Sequence, residues 1–390
     1  MQKQKKKLAG LWRKTMINKF LANNKQETLD IVRDLCKIPA PSFLEDKRAE
    51  YCKKYFESFG AKNVYIDSAK NVIFPLNCEN SNNITVFAAH TDTVFPDIES
   101  YPEYREDEEN IYCPGVGDDT VCVAMVLMTA KYYLENNIVP KDGVLFVCNS
   151  CEEGLGDLKG ARTLMNDFKD RVKFFITLDA TIGGIITGAV GSHRYNVQVK
   201  TEGGHSFSKF GNKNAITELS KIVTEIYDIE VPKKDGATTT YNVGTIQGGT
   251  SVNTIAQDAE MLCEYRSDDK ECLAFMENKF NEIFKKANDG GLDITVTRVG
   301  NRPCKGDVDK VGEQKIVDAY RQTIKEITNE EIKIKTASTD ANIPLSLGIP
   351  SADIGVYVGG GAHTREEWVN KDSIIVGVHA AIEFLQKLTK

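Results

Sequence analysis

Short apolar runs and longer helical patterns alternate through the first half of the chain. Ile84 to Ala89, Val144 to Cys148 and Phe174 to Leu178 are apolar on both faces and have the length of buried strands. Thr120 to Asn136 and Lys159 to Asp167 lie between them and read as helices. Two more helices precede the first strand. Glu27 to Ile38 is broken by Pro39 and Pro41, and Glu45 to Phe59 stops at Gly60. Strand–helix–strand alternation with doubly apolar strands predicts a mostly parallel sheet covered by helices.

After Gly191 the pattern changes. Arg194 to Lys200 alternates polar and apolar, as a strand with one wet face does. Tyr241 to Ile246, Ala259 to Tyr265 and Ile294 to Val299 read as further strands, with helices over Asn214 to Ile229 and Cys272 to Asn288. From Gly312 the first pattern returns: a helix to Ile327, strands near Ile332 and over Ile354 to Val358, and a helix over Ser373 to Leu388. The expected fold class is α/β: a discontinuous catalytic domain (residues 1–191 and 306–390) interrupted by an α+β lid or dimerisation domain (residues 192–305).

Composition narrows the class. A chain of 390 residues, 41% hydrophobic and 27% charged, is an ordinary globular protein of about two domains. A net charge of −7 gives no nucleic-acid footprint. The basic start (Lys3, Lys5, Lys6, Lys7) is not followed by an apolar stretch, because Arg13, Lys14, Asn18 and Lys19 interrupt it. It reads as a solvated helical extension. The run from Val121 to Ala130 is too short to span a bilayer. Ten cysteines have no framework spacing, and the lone Cys148-x-x-Cys151 has no second pair to complete a zinc site. Reduced cysteines in a cytoplasmic protein, without membrane or nucleic-acid partners, are the expectation.

The polar residues cluster where ligands bind an open α/β sheet, beyond the carboxyl ends of its strands. The first strand ends in His90-Thr91-Asp92, the second near Glu152-Glu153 and the third at Asp179. Asp118-Asp119 precedes the long helix, and His363 follows Gly359, Gly360 and Gly361. Each alone is unremarkable; His-x-Asp is more often a surface or hydrogen-bonded pair, and adjacent acids are more often solvated. Together they are hard to explain without cations, because packed carboxylates lacking a counter-charge repel and protonate. In His90-x-Asp92 the carboxylate can take the histidine's second ring N–H and fix its tautomer. Adjacent Glu152 and Glu153 point in different directions. One can bind metal while the other takes a proton from water.

The motifs now make a specific set. His90-Thr91-Asp92, Pro114-Gly115-Val116-Gly117-Asp118-Asp119, Cys151-Glu152-Glu153-Gly154, Asp179, Gly203-Gly204-His205-Ser206, Gly248-Gly249-Thr250-Ser251-Val252-Asn253 and Gly361-Ala362-His363-Thr364 occur in that order. Over roughly residues 28–390 the chain resembles the dinuclear zinc hydrolases that include peptidase T, carboxypeptidase G, aminoacylase and succinyl-diaminopimelate desuccinylase. The segments His90 to Pro96 and Ser338 to Pro344 are closest to the peptidase T-like side. The resemblance implies that His90 and Asp179 bind one metal, Glu153 and His363 the other, and that Asp118 bridges both, with a cis Asp118–Asp119 bond. It implies Asp92 as orienter, Glu152 as general base and His205 as the oxyanion donor, often supplied by a partner subunit. Asn253 and Arg266 match positions that hold polar or carboxylate groups of substrate, and Ser338 and Thr339 lie in a loop of similar purpose. Two departures stand out: Thr120 replaces a frequent Lys, and Ala256 replaces a frequent Pro.

The implied chemistry is consistent with the donor set. The ligands are nitrogen and oxygen, as suits a catalytic rather than a structural zinc site. Two metals about 3.5–4 Å apart lower the pKa of a shared water. The expectation is a cytoplasmic, homodimeric metallopeptidase with two zinc ions per subunit (cobalt or manganese being alternatives). Aminopeptidase action on small peptides is the preferred reading. An N-acyl amino acid amidohydrolase or a carboxypeptidase is the alternative on the same metals. A non-catalytic metal scaffold predicts a missing base or ligand, and every such position is filled. A dinuclear phosphoesterase predicts more basic residues around the motifs. Gly359 to Gly361 lacks the Lys-Ser/Thr of a phosphate loop. His193 is expected at a hinge or surface, His379 packed in the last helix, and Tyr101 to Asn110 in a solvated loop.

Overall fold

The computed structural model describes residues 2–96 and 104–389, with side chains from Lys14 onward. The chain forms two compact units. One comprises the residues up to Thr187 together with those from Gly306 onward; the other is Gly188–Lys305.

The first unit is built on an eight-stranded sheet. Its elements, in chain order, are α1 (Gln2–Cys36), α2 (Asp46–Ser58), β1 (Val72–Leu76), β2 (Ile84–His90), α3 (Val121–Glu135), β3 (Gly143–Asn149), β4 (Val172–Thr181), α4 (Lys310–Thr328), β5 (Ser351–Tyr357) and α5 (Lys371–Leu388). Four central strands run parallel, in the order β3, β2, β4, β5. Antiparallel strands flank them: β1 beside β3, and Gly184–Ala189 beside β5.

The central strands are buried on both faces, which is why they read as continuous apolar runs. Alternation along β2 divides the core. Phe87 and Ala89 pack with α1, α2, α3 and α5, while Val86 and Ala88 pack on the opposite side with the helix Lys159–Phe168. Helix α3 is buried nearly all round. It lies in the layer of α1, α2 and α5, which explains its uniformly apolar sequence.

Helix α1 takes in the expected helical extension before Glu27, but that extension is not simply solvated, because Ile17 and Phe20 join the same core as Leu29, Val32 and Leu35. Residues 101–103 of the predicted Tyr101–Asn110 loop lie outside the described residues. The rest is not simply solvated loop: Arg105–Glu106 pairs with Asn110–Tyr112, which pairs in turn with Trp368–Asn370. Among the described residues, no helix is long and apolar enough to cross a membrane. All ten cysteines are buried and none forms a disulfide.

The second unit is an antiparallel four-stranded sheet in the order Thr239–Gly248, Asp258–Ser267, Gly191–Lys200, Asp293–Arg302. Two helices, Ala215–Tyr227 and Lys270–Asp289, cover one face through Tyr195, Val197, Met261, Tyr265, Leu219 and Phe280. Asn214 and Asp269 cap these helices with their side chains. His193 departs from the hinge or surface expectation. It is 7% exposed, and Nδ1 lies 2.6 Å from the Tyr265 hydroxyl, because the strand begins earlier than predicted and turns this residue toward the helices.

Candidate metal centre

All five residues read as metal ligands are brought together at the carboxyl edge of the parallel sheet in the first unit. His90 ends β2, fully buried between two parallel neighbours. Its Nε2 lies 3.0 Å from Asp118 Oδ1 and 3.7 Å from Asp179 Oδ2. His363 Nε2 lies 3.0 Å from the other oxygen of Asp118 and 3.3 Å from Glu153 Oε1. One carboxylate therefore stands between two histidines from opposite ends of the sequence. The Asp118–Asp119 peptide bond is cis.

Asp92 serves more of the site than its spacing suggested. Its main-chain carbonyl, 3.0 Å from His90 Nδ1, is nearer than its carboxylate at 3.4 Å. The carboxylate accepts the backbone N–H groups of Glu152 and Glu153 at 2.9 and 3.0 Å and the Ser42 hydroxyl at 2.6 Å. It ties the β2 end to the loop after β3. Thr339 is 4% exposed, and its hydroxyl accepts the Ala341 N–H while Ser338 precedes it in the same loop. His205, Asn253 and Arg266 belong to the second unit. There His205 pairs with Thr254, and Ser206 N–H donates to the Asn253 carbonyl. The exposed His205 accepts the Phe207 N–H at Nδ1, which leaves Nε2 as the donor nitrogen. Arg266 gives Nε and Nη2 to Glu264, at 2.7 and 3.1 Å.

The electrostatics are those of carboxylates crowded out of water. Burial raises Glu153 to about 7 and pushes Asp179 well above its usual range. Behind them burial raises Asp340 to about 7 and Asp353 to about 8. Contact with the Asp118 and Glu153 carboxylates raises His363 to about 10. Although burial opposes it, contact with Asp118, Asp119 and Asp179 likewise raises His90. The cluster draws positive charge.

Divalent cations fit this set. Three triads have their ligand atoms within 4.8 Å of one another: His90, Asp119 and Asp179; His90, Glu152 and Glu153; Asp118, Glu153 and His363. Glu153 Oε1 and Asp119 Oδ1 are buried and make no hydrogen bond. Such orphaned acceptors among N and O donors suit a hard or borderline metal.

Several supporting residues were not read from the sequence. Glu367 accepts three backbone N–H groups of the Asp118 loop. Asp353 accepts the Asp179 N–H at 2.9 Å. Glu45, fully buried, accepts the Cys151 N–H ahead of Glu152. Arg48, 1% exposed, donates to the Thr91 carbonyl and the Thr120 hydroxyl, both at 3.0 Å, and so joins the two aspartate loops. An acid inside the apolar run of β5 was a signal for Asp353 alone.

A nitrogen and oxygen cluster at the carboxyl edge of a parallel sheet has the donor set of a metal site. Residues 86–387 match peptidase family M20/M25/M40, and the chain belongs to that family. It is a metallopeptidase, a hydrolase of peptide bonds. A protein of Arthroderma otae named "Probable carboxypeptidase" is 25% identical over 331 residues, covering 76% of this chain and 70% of its own length. The tripeptidase of Staphylococcus aureus subsp. aureus Mu50 superposes with a TM-score of 0.73 at 22% identity, over 94% of this chain and 99% of its own. Aminopeptidase PepT of Bacillus cereus ATCC 10987 gives 0.70 at 20% identity, over 94% and 99%. These structural likenesses establish the fold.

Proposed function

We propose that the protein is a dinuclear aminopeptidase acting on small peptides, with two zinc ions per subunit. The observation that carries this reading is the position of Asp118, one oxygen 3.0 Å from His90 and the other 3.0 Å from His363. His90 and Asp179 would hold one ion and Glu153 and His363 the other, with Asp118 placed to serve both. Bound zinc supplies Lewis acidity and a water of lowered pKa.

The chain's own groups do the rest. Asp92 orients His90 and fixes the Glu152–Glu153 backbone. Glu152 takes the proton of the attacking water and returns it to the leaving amine. His205, with Nε2 as donor, stabilises the oxyanion from the partner subunit of a homodimer formed through the second unit. Asn253, Arg266, Ser338 and Thr339 hold substrate polar groups. The segments His90 to Pro96 and Ser338 to Pro344, and the aminopeptidase and tripeptidase among the structural neighbours, favour N-terminal cleavage.

A second reading, a carboxypeptidase or N-acyl amino acid amidohydrolase, draws on Arg266 and on the "Probable carboxypeptidase" names of the sequence relatives. Hydrolysis of di- and tripeptides and N-acyl amino acids by zinc-loaded protein separates the two. Release of the N-terminal residue supports the proposal; release of only the C-terminal residue, or deacylation alone, replaces it with the second reading. Mixing inactive His205→Ala with inactive Glu152→Gln tests the dimer. Recovered activity supports action across the interface, and a fully active monomer in sedimentation rejects it.

A further inference from the structure

His363 and Asp118 must be held at a fixed separation, yet His363 stands on an exposed loop. That loop, residues 361–367, joins two short strands, Gly359–Gly360 and Trp368–Asn370. His363 itself has a left-handed φ of 63° and a side chain 57% exposed. At the base of the same loop Glu367 is 1% exposed. Its Oε2 accepts the Gly115 N–H at 2.6 Å. Its Oε1 accepts the N–H groups of Gly117 and Asp118 at 2.7 and 2.8 Å. Its main-chain carbonyl accepts the Cys113 N–H at 3.2 Å.

We propose that Glu367 is a positioning residue that locks the His363 loop onto the Asp118 loop and so sets the geometry of the outer metal site. This rests on the two-metal reading above. The chemistry requires a carboxylate. Two acceptor oxygens can satisfy three converging N–H groups, whereas a carboxamide would turn an N–H donor toward Gly115 or toward Gly117 and Asp118. The backbone is shaped to this end. A Cβ on Gly117 would come within 2.9 Å of Glu367 Oε1 and 3.0 Å of the Tyr357 hydroxyl. Neighbouring Glu366 makes a useful contrast, because its carboxylate is exposed and pairs with Arg105 at the surface.

The test is cobalt binding to chelator-stripped protein, followed by competition with a chromophoric chelator and by the cobalt absorption spectrum. In Glu367→Gln the ion at Glu153 and His363 loses about 10–100-fold in affinity, the spectrum of that ion changes, and kcat falls with little change in KM. Glu367→Asp recovers part of the affinity, and Glu366→Gln behaves as wild type. If Glu367→Gln fails to fold, Gly117→Ala replaces it, since the added methyl displaces the same carboxylate without removing charge. Wild type binding two ions and Glu367→Gln binding both equally well, with an unchanged spectrum, overturns this proposal alone. Wild type binding fewer than two ions overturns the dinuclear reading and this proposal with it.

Discussion

The two histidines that meet at Asp118 are held in opposite ways. His90 closes a central strand with parallel neighbours on both sides, is fully buried, and has its own N–H bonded to Asp119. His363 sits on a loop, more than half exposed, beside Glu153, whose own loop turns at Cys151 with φ of 56°. The inner half of the cluster is a product of sheet packing. The outer half is assembled from loops that buried acids, Glu45 and Glu367, tie down. Sheet packing makes a site rigid without further provision, and loops need dedicated hydrogen bonds to reach similar precision.

The largest effect separates chemistry from both halves. Glu152→Gln should lower kcat by about 10²–10⁴-fold while metal content, measured by elemental analysis, stays at the wild-type value. Lost metal would instead make Glu152 a ligand, as its place in the triad with His90 and Glu153 permits. Next, His90→Ala should destabilise the metal-free protein by about 3–5 kcal/mol in urea, because it takes a fully buried charge partner from buried Asp92 and from partly buried Asp118 and Asp179. His363→Ala should change metal-free stability by only about 0.5 kcal/mol, yet lose one bound ion. Equal destabilisation by the two variants would erase the contrast between sheet and loop.

The smallest effect concerns the short strands that support the His363 loop. Hydrogen bonds from Lys371 and then Arg33 lower Glu106 from 4.5 to about 2. A carboxylate with a depressed folded pKa adds stability above its unfolded value, and that share is lost as pH falls from about 4.5 toward 2. Glu106 is itself an exposed residue, so Glu106→Gln should lower Tm only slightly at pH 7 and lose that difference near pH 2. A difference that persists at pH 2 would assign the effect to packing.

The inner half was legible in the sequence for the same reason that it is rigid. An apolar strand ending in His90-Thr91-Asp92 announces both the sheet and its polar edge. The parallel order and the helices over it followed from doubly apolar runs. What stayed hidden depends on partners far along the chain. Glu367 contacts backbone groups about 250 positions away, which carry no side-chain signature, and next to Glu366 it reads as one of two surface acids. The antiparallel strand β1 was missed because Pro75 and its short length suppress a strand pattern. The early part of α1 was read as helical but solvated, because only scattered residues such as Ile17 and Phe20 reach the core.

The sheet order carries a consequence for synthesis. Three central strands, with His90, Asp118, Glu153 and Asp179, emerge before the Gly188–Lys305 unit, and the fourth emerges after it. His363, Glu367 and the strand bearing Asp353 leave the ribosome only after that unit. A nascent chain can therefore present four of the five donors for more than a hundred residues of elongation before His363 exists. The complete donor set forms only after the inserted unit has had time to fold by itself.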